Sequence, residues 1–331
     1  MALTLAEAKV GMADHVDQNV IDEFRRGSYL MDKLTFDNSV SPGTGGSTLV
    51  YGYTMLKSPS TAEFRNINSE YTGNEAKREK KSVELKIFGG KFSIDRVLAE
   101  TSGAIDEVNF QLQEKIKATI NMFHYAVING DSSVKGFDGL DVLLADSDTE
   151  INKGADNAID ISTSSNLDGN YKKVLDVLDE FLASLDGKPD MLMGNTKLIT
   201  KIQACARRAG YLTQSEDAFG KKSYAYNGIP FVDMEYYYNG TATVPTVPIV
   251  SRKYGASGSE TTVTGLTDLY AARFALDGFH ACSPKGGKII STHLPDFNTA
   301  GAVKDGDVEM VAGIALKKSR AAGVLRNFKV Q

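Results

Sequence analysis

The sequence predicts an α+β protein, and three patterns support that prediction. Strand-forming residues alternate in two stretches between residues 47 and 92. Apolar residues spaced three or four apart follow over residues 102–129, as in an amphipathic helix. A helix, a short apolar strand and a second helix then succeed one another between Tyr171 and Gly210, the order expected when helices pack on a sheet.

Length and composition indicate an ordinary globular protein. The 331 residues suffice for one large domain or two smaller ones, and 42% hydrophobic with 24% charged residues argues against disorder. No apolar run approaches the roughly 20 residues needed to cross a bilayer. Glu7 and Lys9 interrupt the N-terminus, which also lacks a basic signal-peptide region, so we expect the protein to stay in the cytoplasm.

Charge and cysteine content exclude several classes. The 37 basic and 42 acidic residues give a net charge of −5, the wrong sign for affinity based on neutralising phosphates, which argues against specific nucleic-acid binding. Cys205 and Cys282 are too few for a disulfide framework or a four-cysteine zinc site. We interpret both as small buried hydrophobic residues.

The N-terminal half predicts an arm followed by a long β-hairpin. Residues 14–34 have apolar residues at roughly helical spacing, interrupted by Gly27, and fit equally an amphipathic arm or a helix packed on its own domain. After a turn at 41–48, the first strand is "LVYGYTML". The returning strand starts at Val83, breaks at Gly89-Gly90 and resumes with the opposite phase.

The hairpin has a long polar tip and a long reach. Between its strands only Phe64, Ile67 and Tyr71 are apolar anchors. Each leg of about 20 residues could extend up to about 60 Å, whereas a compact chain of this length has a radius of gyration of roughly 20 Å. Because a two-stranded ribbon is marginally stable alone, we expect the hairpin to lie on another subunit. The alternative is a hairpin folded back onto its own sheet.

Helix signals are strongest in the middle of the chain. The helix over 102–129 has acids in its first turn and an Asn129-Gly130 stop, and about 26 residues make it roughly 39 Å long. His124, near its end, is interpreted as a packed or surface residue rather than a ligand. Further helices are predicted over residues 171–185 and from an Asn195 N-cap to Gly210, with Arg207 and Arg208 in the last turn.

The C-terminal part predicts strands. A strand follows the Asn227-Gly228 turn, a loop is expected over residues 238–265, and four later apolar stretches are expected to form a terminal sheet.

The common catalytic and ligand-binding motifs that we considered are each incomplete in this sequence. "PGTGGST" lacks the phosphate-loop lysine and precedes a strand. The acids beginning at Asp146 lack the glycine and final glutamate of an EF-hand. No serine lies in a G-x-S-x-G elbow, and no close ligand pair occurs among the four histidines, His15, His124, His280 and His293. The sequence thus predicts no catalytic, cofactor-binding or metal-binding residue.

Longer segments carry a family resemblance. They are "INSEYTGNEAKREKKSVELKIFGGKFSIDRVLAETSGA", the helix ending "FHYAVINGD", "FDGLDVLL", "GKPDMLMGNTKLITKIQACARRAGY", "YNGIPFVD" and "VEMVAGIALKKSRAAGVLRNFKV". In order and extent they resemble tailed-bacteriophage major capsid proteins of the Hong Kong ninety-seven type, like those of siphophages of Gram-positive bacteria. The resemblance covers nearly the whole chain.

The resemblance implies an architecture and a function. It implies an N-terminal arm (1–46), an extended hairpin lying over the neighbouring subunit (47–92), a peripheral domain with a spine helix (93–170), an axial domain (171–265) and return strands (266–331). The implied function is an icosahedral head shell around double-stranded DNA, assembled in the bacterial cytoplasm and ending in the virion. An acidic balance suits such a shell, because strongly basic walls would hold the genome tightly.

The implied partners are other copies of the chain, in pentamers and hexamers, and the phage assembly proteins. A separate scaffolding protein is expected because the chain reaches the arm directly after Met1, along with a portal and possible decoration proteins. No local motif places the lysine–asparagine crosslink of some family members. The expected subunit-interface residues are Phe64, Arg65, Ile67, Tyr71, Lys77, Arg78, Lys80, Lys81, Arg207 and Arg208.

Two alternatives remain at this point. An encapsulin shares the fold but encloses an enzyme cargo, and neighbouring cargo, portal or scaffold genes would distinguish the two. An α/β enzyme with an unrecognised site is the alternative from another class, disfavoured by the lack of convergent histidines, cysteines or a nucleotide loop.

Overall fold

A computed structural model describes residues 29–38, 40, 49–101, 107–210, 213–216, 222–256, 258–284 and 289–331. Most of the predicted arm, the turn at 41–48 and the predicted start of the spine helix at 102–106 lie outside these residues. The described α-helices are α1 Tyr29–Lys33, α2 Arg96–Thr101, α3 Glu107–Asn129, α4 Leu140–Leu143, α5 Ser164–Ser184 and α6 Thr196–Ala209.

The strands contribute to two larger sheets and two hairpins. The described strands are β1 Phe36–Asp37, β2 Val50–Ser58, β3 Lys77–Glu84, β4 Lys86–Asp95, β5 Glu150–Ile151, β6 Ile159–Asp160, β7 Met191–Gly194, β8 Thr213–Glu216, β9 Lys222–Tyr226, β10 Ile229–Asp233, β11 Tyr236–Tyr238, β12 Thr243–Pro245, β13 Val250–Tyr254, β14 Thr261–Ala272, β15 Phe279–Cys282, β16 Ile290–His293, β17 Val303–Leu316 and β18 Ala322–Lys329.

The first sheet packs against the spine helix. β17 pairs with β4, β15 and β16, and β1 adds to β15. α3 buries Leu112, Ile116 and Phe123 in the same core cluster as Phe92 of β4 and Met310 of β17. The apolar residues that predicted this helix from the sequence therefore lie on the helix face that packs against the sheet.

The second sheet has apolar side chains on both faces. Its order is β5-β18-β14-β7-β10-β9-β8, with β6 and β13 also attached. Met193 and Tyr270 point into the cluster shared with α3, whereas Leu192 and Leu269 point into the cluster under α5 and α6. Both faces are buried, which explains why "MLM" and "LYAA" are unbroken apolar runs rather than alternating ones.

The predicted capping of α6 is confirmed, while α5 is longer than predicted. Asn195 Oδ1 accepts a hydrogen bond from the Leu198 amide at 2.9 Å, and Gly210 ends α6 with φ 77°. α5 begins at Ser164 rather than Tyr171, because the Thr163 hydroxyl caps it by accepting from the Asn166 amide. The polar composition of this first turn concealed the start of the helix.

Two expectations for the C-terminal part are wrong. The predicted loop over 238–265 contains β12, β13 and the start of β14. The strands expected to form one terminal sheet belong to two sheets. β14 pairs with β18 and β7 in the second sheet, whereas β15, β16 and β17 belong to the spine-helix sheet. Sequence periodicity identifies strands but not their partners.

The predicted break at Gly89-Gly90 is also wrong. β4 runs through both glycines and pairs with β17 without a register shift, from Asp95↔Val303 to Lys86↔Ala312. A Cβ at Gly89 would lie 1.9 Å from the Val308 carbonyl oxygen, so glycine is required by close backbone approach. The change of phase lies instead at Leu85 and Lys86, where the chain leaves β3 for β4.

A buried ionic network links four strands of the second sheet, β5, β13, β14 and β18, to α4. The Asp268 carboxylate accepts hydrogen bonds from Arg252 at 2.7 Å and from Arg326 at 3.0 Å. Arg326 also donates to Glu150 at 2.7 Å and to Asp141. Burial alone would raise the pKa of Asp268, but hydrogen bonding and charge from Arg252, with the charge of Arg326, lower it below its ordinary value.

Substituting Asp268→Ala should destabilise the subunit strongly. It leaves two guanidinium groups without their shared counter-charge, and breaking such a buried pair costs about 3–5 kcal/mol. Urea unfolding followed by far-UV circular dichroism measures the loss, since the chain has no tryptophan. Asp148→Ala is the control, because that side chain is 84% exposed, and equal effects from both variants would contradict the role of the network.

Acid should weaken the fold through His124. Burial lowers the pKa of His124 to about 4, so the unfolded chain binds a proton more readily than the folded one. The corresponding stability is present above an ordinary histidine pKa of about 6.5 and is lost as pH falls towards 4, by about 3 kcal/mol. His124→Leu should flatten unfolding free energy across this window, whereas His293→Gln, at an exposed position, should not. An unchanged slope in His124→Leu would exclude this assignment.

Candidate assembly interface

The hairpin β2–β3 forms a two-stranded sheet of its own. The ladder pairs Val50 with Glu84 at its base and Leu56 with Arg78 near its tip. Nine residues of β2 correspond to about 30 Å at 3.3 Å per residue, and residues 59–76 form the tip beyond them. The predicted hairpin is thus present, but its ladder ends at Glu84 because β4 joins the spine-helix sheet.

Two tyrosines anchor the base of the hairpin. The Tyr51 hydroxyl donates to Asp37 at 2.8 Å, and the Tyr53 hydroxyl donates to the Leu316 carbonyl at 3.1 Å. Tyr51 is buried with Leu85 and Val311 in a small separate core cluster. The base therefore belongs to the body of the subunit.

Buried or half-buried ionisable groups surround the Tyr51 anchor. His280 Nε2 lies 3.3 Å from the Tyr51 hydroxyl, and the Lys317 ammonium lies 5.4 Å from the Tyr51 ring centroid. Burial, helped by Asp37, raises the pKa of Tyr51. Burial and the charge of Lys317 lower the pKa of His280. Both groups are held in their neutral forms, which suits a structural anchor.

Beyond its base the hairpin presents side chains to solvent. Lys80 and Arg78 pair with Thr54 and Leu56, and all four share the outer face of the ribbon, where Leu56 is 57% exposed. Lys81 pairs with Tyr53 on the opposite face. The outer face therefore combines basic side chains with the exposed apolar side chain of Leu56.

The tip has internal hydrogen bonds, and its large apolar side chains are exposed within the described part of the chain. The Thr72 amide donates to the Glu63 carboxylate at 2.5 Å, and the Asn74 side chain donates to the Thr61 hydroxyl at 2.9 Å. Phe64 is fully exposed, and Ile67 is 91% exposed. Side-chain bonds across the tip thus hold a loop whose large apolar residues touch little of this chain.

The ten predicted interface residues fall into two separate groups. Phe64, Ile67 and the four basic residues of β3 project from the hairpin, where the Arg65 guanidinium also lies 5.4 Å from the ring centroid of Tyr71. Arg207 is exposed at the end of α6. Arg208 instead forms an ion pair with Asp168 and donates to the Ser164 hydroxyl at 3.3 Å, tying α6 to α5.

Sequence reasoning missed the anchors. Tyr51 and Tyr53 lie on one strand, but Leu316 and His280, which they contact, are more than 200 residues away in sequence, so only the fold brings them together. The alternation of Tyr51 and Tyr53 on one strand face was visible, but it did not identify which face was covered.

Comparisons with solved structures establish the fold. The chain is similar to the holo-SrpI encapsulin of Synechococcus elongatus, with TM-score 0.60, 14% identity and coverage of 92% of this chain and 88% of that one. It is similar to the capsid of a native GTA particle, with TM-score 0.53, 12% identity and 90% and 89% coverage. For the capsid of the Myoviridae phage XM1 the TM-score is 0.51, with 12% identity and 91% of each chain covered. The predicted α+β capsid-protein fold is confirmed.

Sequence comparison adds nothing to this likeness. No family model matches the sequence, and no curated protein matches it. Among the described residues, no helix is long and apolar enough to span a membrane, and no group of three or more His, Cys, Asp or Glu residues could hold a metal ion. The likeness in fold is thus accompanied by only 12–14% sequence identity.

Substitutions should separate the roles of Arg207 and Arg208. Arg207→Glu changes an exposed charge, so the free energy of unfolding should stay unchanged. Arg208→Gln breaks the contact with Asp168 and should lower the free energy of unfolding slightly. Urea unfolding curves of both variants provide the measurement, and an equal loss of stability in the two variants would contradict this distinction.

Proposed function

We propose that this protein is a structural subunit, the major capsid protein that self-assembles into the icosahedral head shell enclosing the double-stranded DNA of a tailed phage. The observation that carries the proposal is the β2–β3 hairpin, anchored at its base and uncovered along its outer face and tip. The shared fold with shell proteins supports it. In this proposal the protein is not an enzyme.

The energetics favour a second copy as the surface that covers the hairpin. Burying a large apolar side chain contributes about 1.5–3 kcal/mol, and Leu56, Phe64, Ile67 and Tyr71 are all exposed. In a closed shell each subunit gives one hairpin and receives one, so modest contacts are repeated around every ring. Repetition, rather than one tight contact, holds such an assembly together.

The remaining partners follow from the same proposal. The subunits form pentamers and hexamers, a separate scaffolding protein guides them, and a portal and possible decoration proteins complete the head. The genome is contained without specific recognition, in keeping with the net charge of −5. Assembly takes place in the bacterial cytoplasm, and the mature location is the virion capsid.

An encapsulin-type compartment is the second candidate. The likeness to the Synechococcus encapsulin, at TM-score 0.60 over 92% of the chain, is the observation that favours it. Mass spectrometry of particles purified from the native host distinguishes the two. A packaged genome with portal protein supports the phage shell, whereas a single enzyme cargo supports the compartment.

Deleting residues 60–78 should abolish assembly while preserving the fold. The deletion joins Pro59 to Glu79, so the Met55↔Glu79 pair closes over a four-residue turn and the Tyr51 and Tyr53 anchors stay intact. Circular dichroism and sedimentation should show a folded, soluble subunit that forms no shells. Closed shells from this variant would show that the hairpin does not interlock subunits.

A milder variant tests the apolar tip itself. Replacing Phe64 and Ile67 by serine retains the loop and its charges, and should shift assembly to higher protein concentration. Val134→Ser is the matched control, because that side chain is 75% exposed but lies far from the hairpin in sequence. An equal shift in the control would attribute the effect to surface hydrophobicity in general.

A further inference from the structure

Three Asn-Gly pairs differ in how the fold holds them. They are Asn129-Gly130, Asn227-Gly228 and Asn239-Gly240. In any Asn-Gly pair the glycine nitrogen can approach the asparagine side-chain carbonyl carbon without a Cβ in the way. What varies within this chain is the freedom of that nitrogen and the environment of the carbonyl oxygen.

Asn239 lies in the exposed four-residue turn between β11 and β12. Its side-chain oxygen accepts hydrogen bonds from the Thr241 amide at 3.0 Å and the Ala242 amide at 2.9 Å. These two donors point at the atom that becomes negatively charged when a nucleophile adds to the side-chain carbonyl. Fixed donors so placed lower the barrier to such an addition.

The two other pairs are held differently. The Asn129 side chain donates to the Thr246 carbonyl at 2.6 Å, and the Gly130 amide donates to the Ala126 carbonyl at 2.9 Å, which withdraws the attacking nitrogen. Asn227 and Gly228 have φ 50° and 72° in a tight turn locked by the Tyr226↔Ile229 pair. Among the described residues, neither the Gly228 amide nor the Gly240 amide donates to a backbone acceptor, so Asn239 differs from Asn227 in the two donors at its side-chain oxygen.

We propose that Asn239-Gly240 is a self-modification site, at which the folded turn promotes conversion of asparagine to aspartate and isoaspartate. The Gly240 nitrogen bonds to the Asn239 side-chain carbonyl carbon and loses its proton. The side-chain nitrogen leaves with that proton as ammonia, giving a five-membered succinimide. Water then adds to either ring carbonyl, the ring C–N bond at that carbon breaks, and a proton from the water returns to the Gly240 nitrogen. The net change is the replacement of ammonia by water, without redox chemistry.

The product alters a specific part of the surface. The Tyr238 hydroxyl donates to the Gly240 carbonyl at 2.9 Å, and Tyr237 stacks on Tyr125 of the spine helix with ring centroids 4.9 Å apart. Conversion adds a negative charge beside these aromatic residues, and the isoaspartyl product also lengthens the main chain by one carbon. The change accumulates with the age of the subunit and does not depend on the proposed shell function.

Peptide mapping of aged protein tests the proposal. The purified full-length protein is incubated at mildly alkaline pH in water enriched in heavy oxygen, digested and analysed by mass spectrometry, with a parallel sample unfolded in urea. In the folded protein Asn239 should convert on the order of tenfold faster than Asn129 or Asn227, which corresponds to a barrier difference of about 1.4 kcal/mol. In urea the three rates should converge.

Controls assign the product and allow a clear negative result. Asn239→Gln keeps an amide but requires a larger ring, so conversion at this position should disappear. Asn129 and Asn227, followed in the same digest, report on the quality of the fold. A rate at Asn239 that is lower in the folded protein than in urea, or no higher than the rates at the other two pairs, would overturn the proposal.

Discussion

The organisation of this subunit depends on one constraint, which is that a two-stranded ribbon cannot cover its own side chains. β2 and β3 satisfy each other's backbone groups over their ladder, and in the described part of the chain no third strand pairs with either of them. Tyr51 and Tyr53 fix the base to the body of the subunit, and the cross-tip bonds of Glu63 and Asn74 fix the far end. Between these points the hairpin is ordered but exposed. Burial of its exposed apolar side chains, such as Leu56, against a second surface would add stability.

The rest of the fold gives this ribbon a firm support. β4 continues directly from the hairpin into the spine-helix sheet, where its close contact with Val308 requires Gly89. The second sheet buries side chains in two cores, and the Asp268 network links its strands β5, β13, β14 and β18 to α4. Only Leu85 separates β3 of the hairpin from β4 of the packed body.

Much of this architecture could be predicted from sequence, and the failures have physical causes. The spine helix and the Asn195 cap depend on local spacing and local hydrogen bonds, which a sequence displays directly. The division of the last strands between two sheets depends on partners distant in the chain, and the start of α5 was hidden by polar residues that cap rather than pack. The exposure of Phe64 and Ile67 could be predicted, because both are isolated apolar residues in a polar stretch of the sequence. Arg208 was not distinguishable from Arg207, because its partner Asp168 lies on another helix.

The measurement that tests the account most directly is sedimentation velocity with negative-stain electron microscopy of the purified full-length protein, alone and with a scaffolding partner. We expect closed shells or rings of five and six subunits, because in the proposed shell a second copy covers the hairpin. A stable monomer or dimer under all conditions, with the tip of the hairpin protected from proteolysis, would contradict it and indicate a ribbon that folds back on its own subunit.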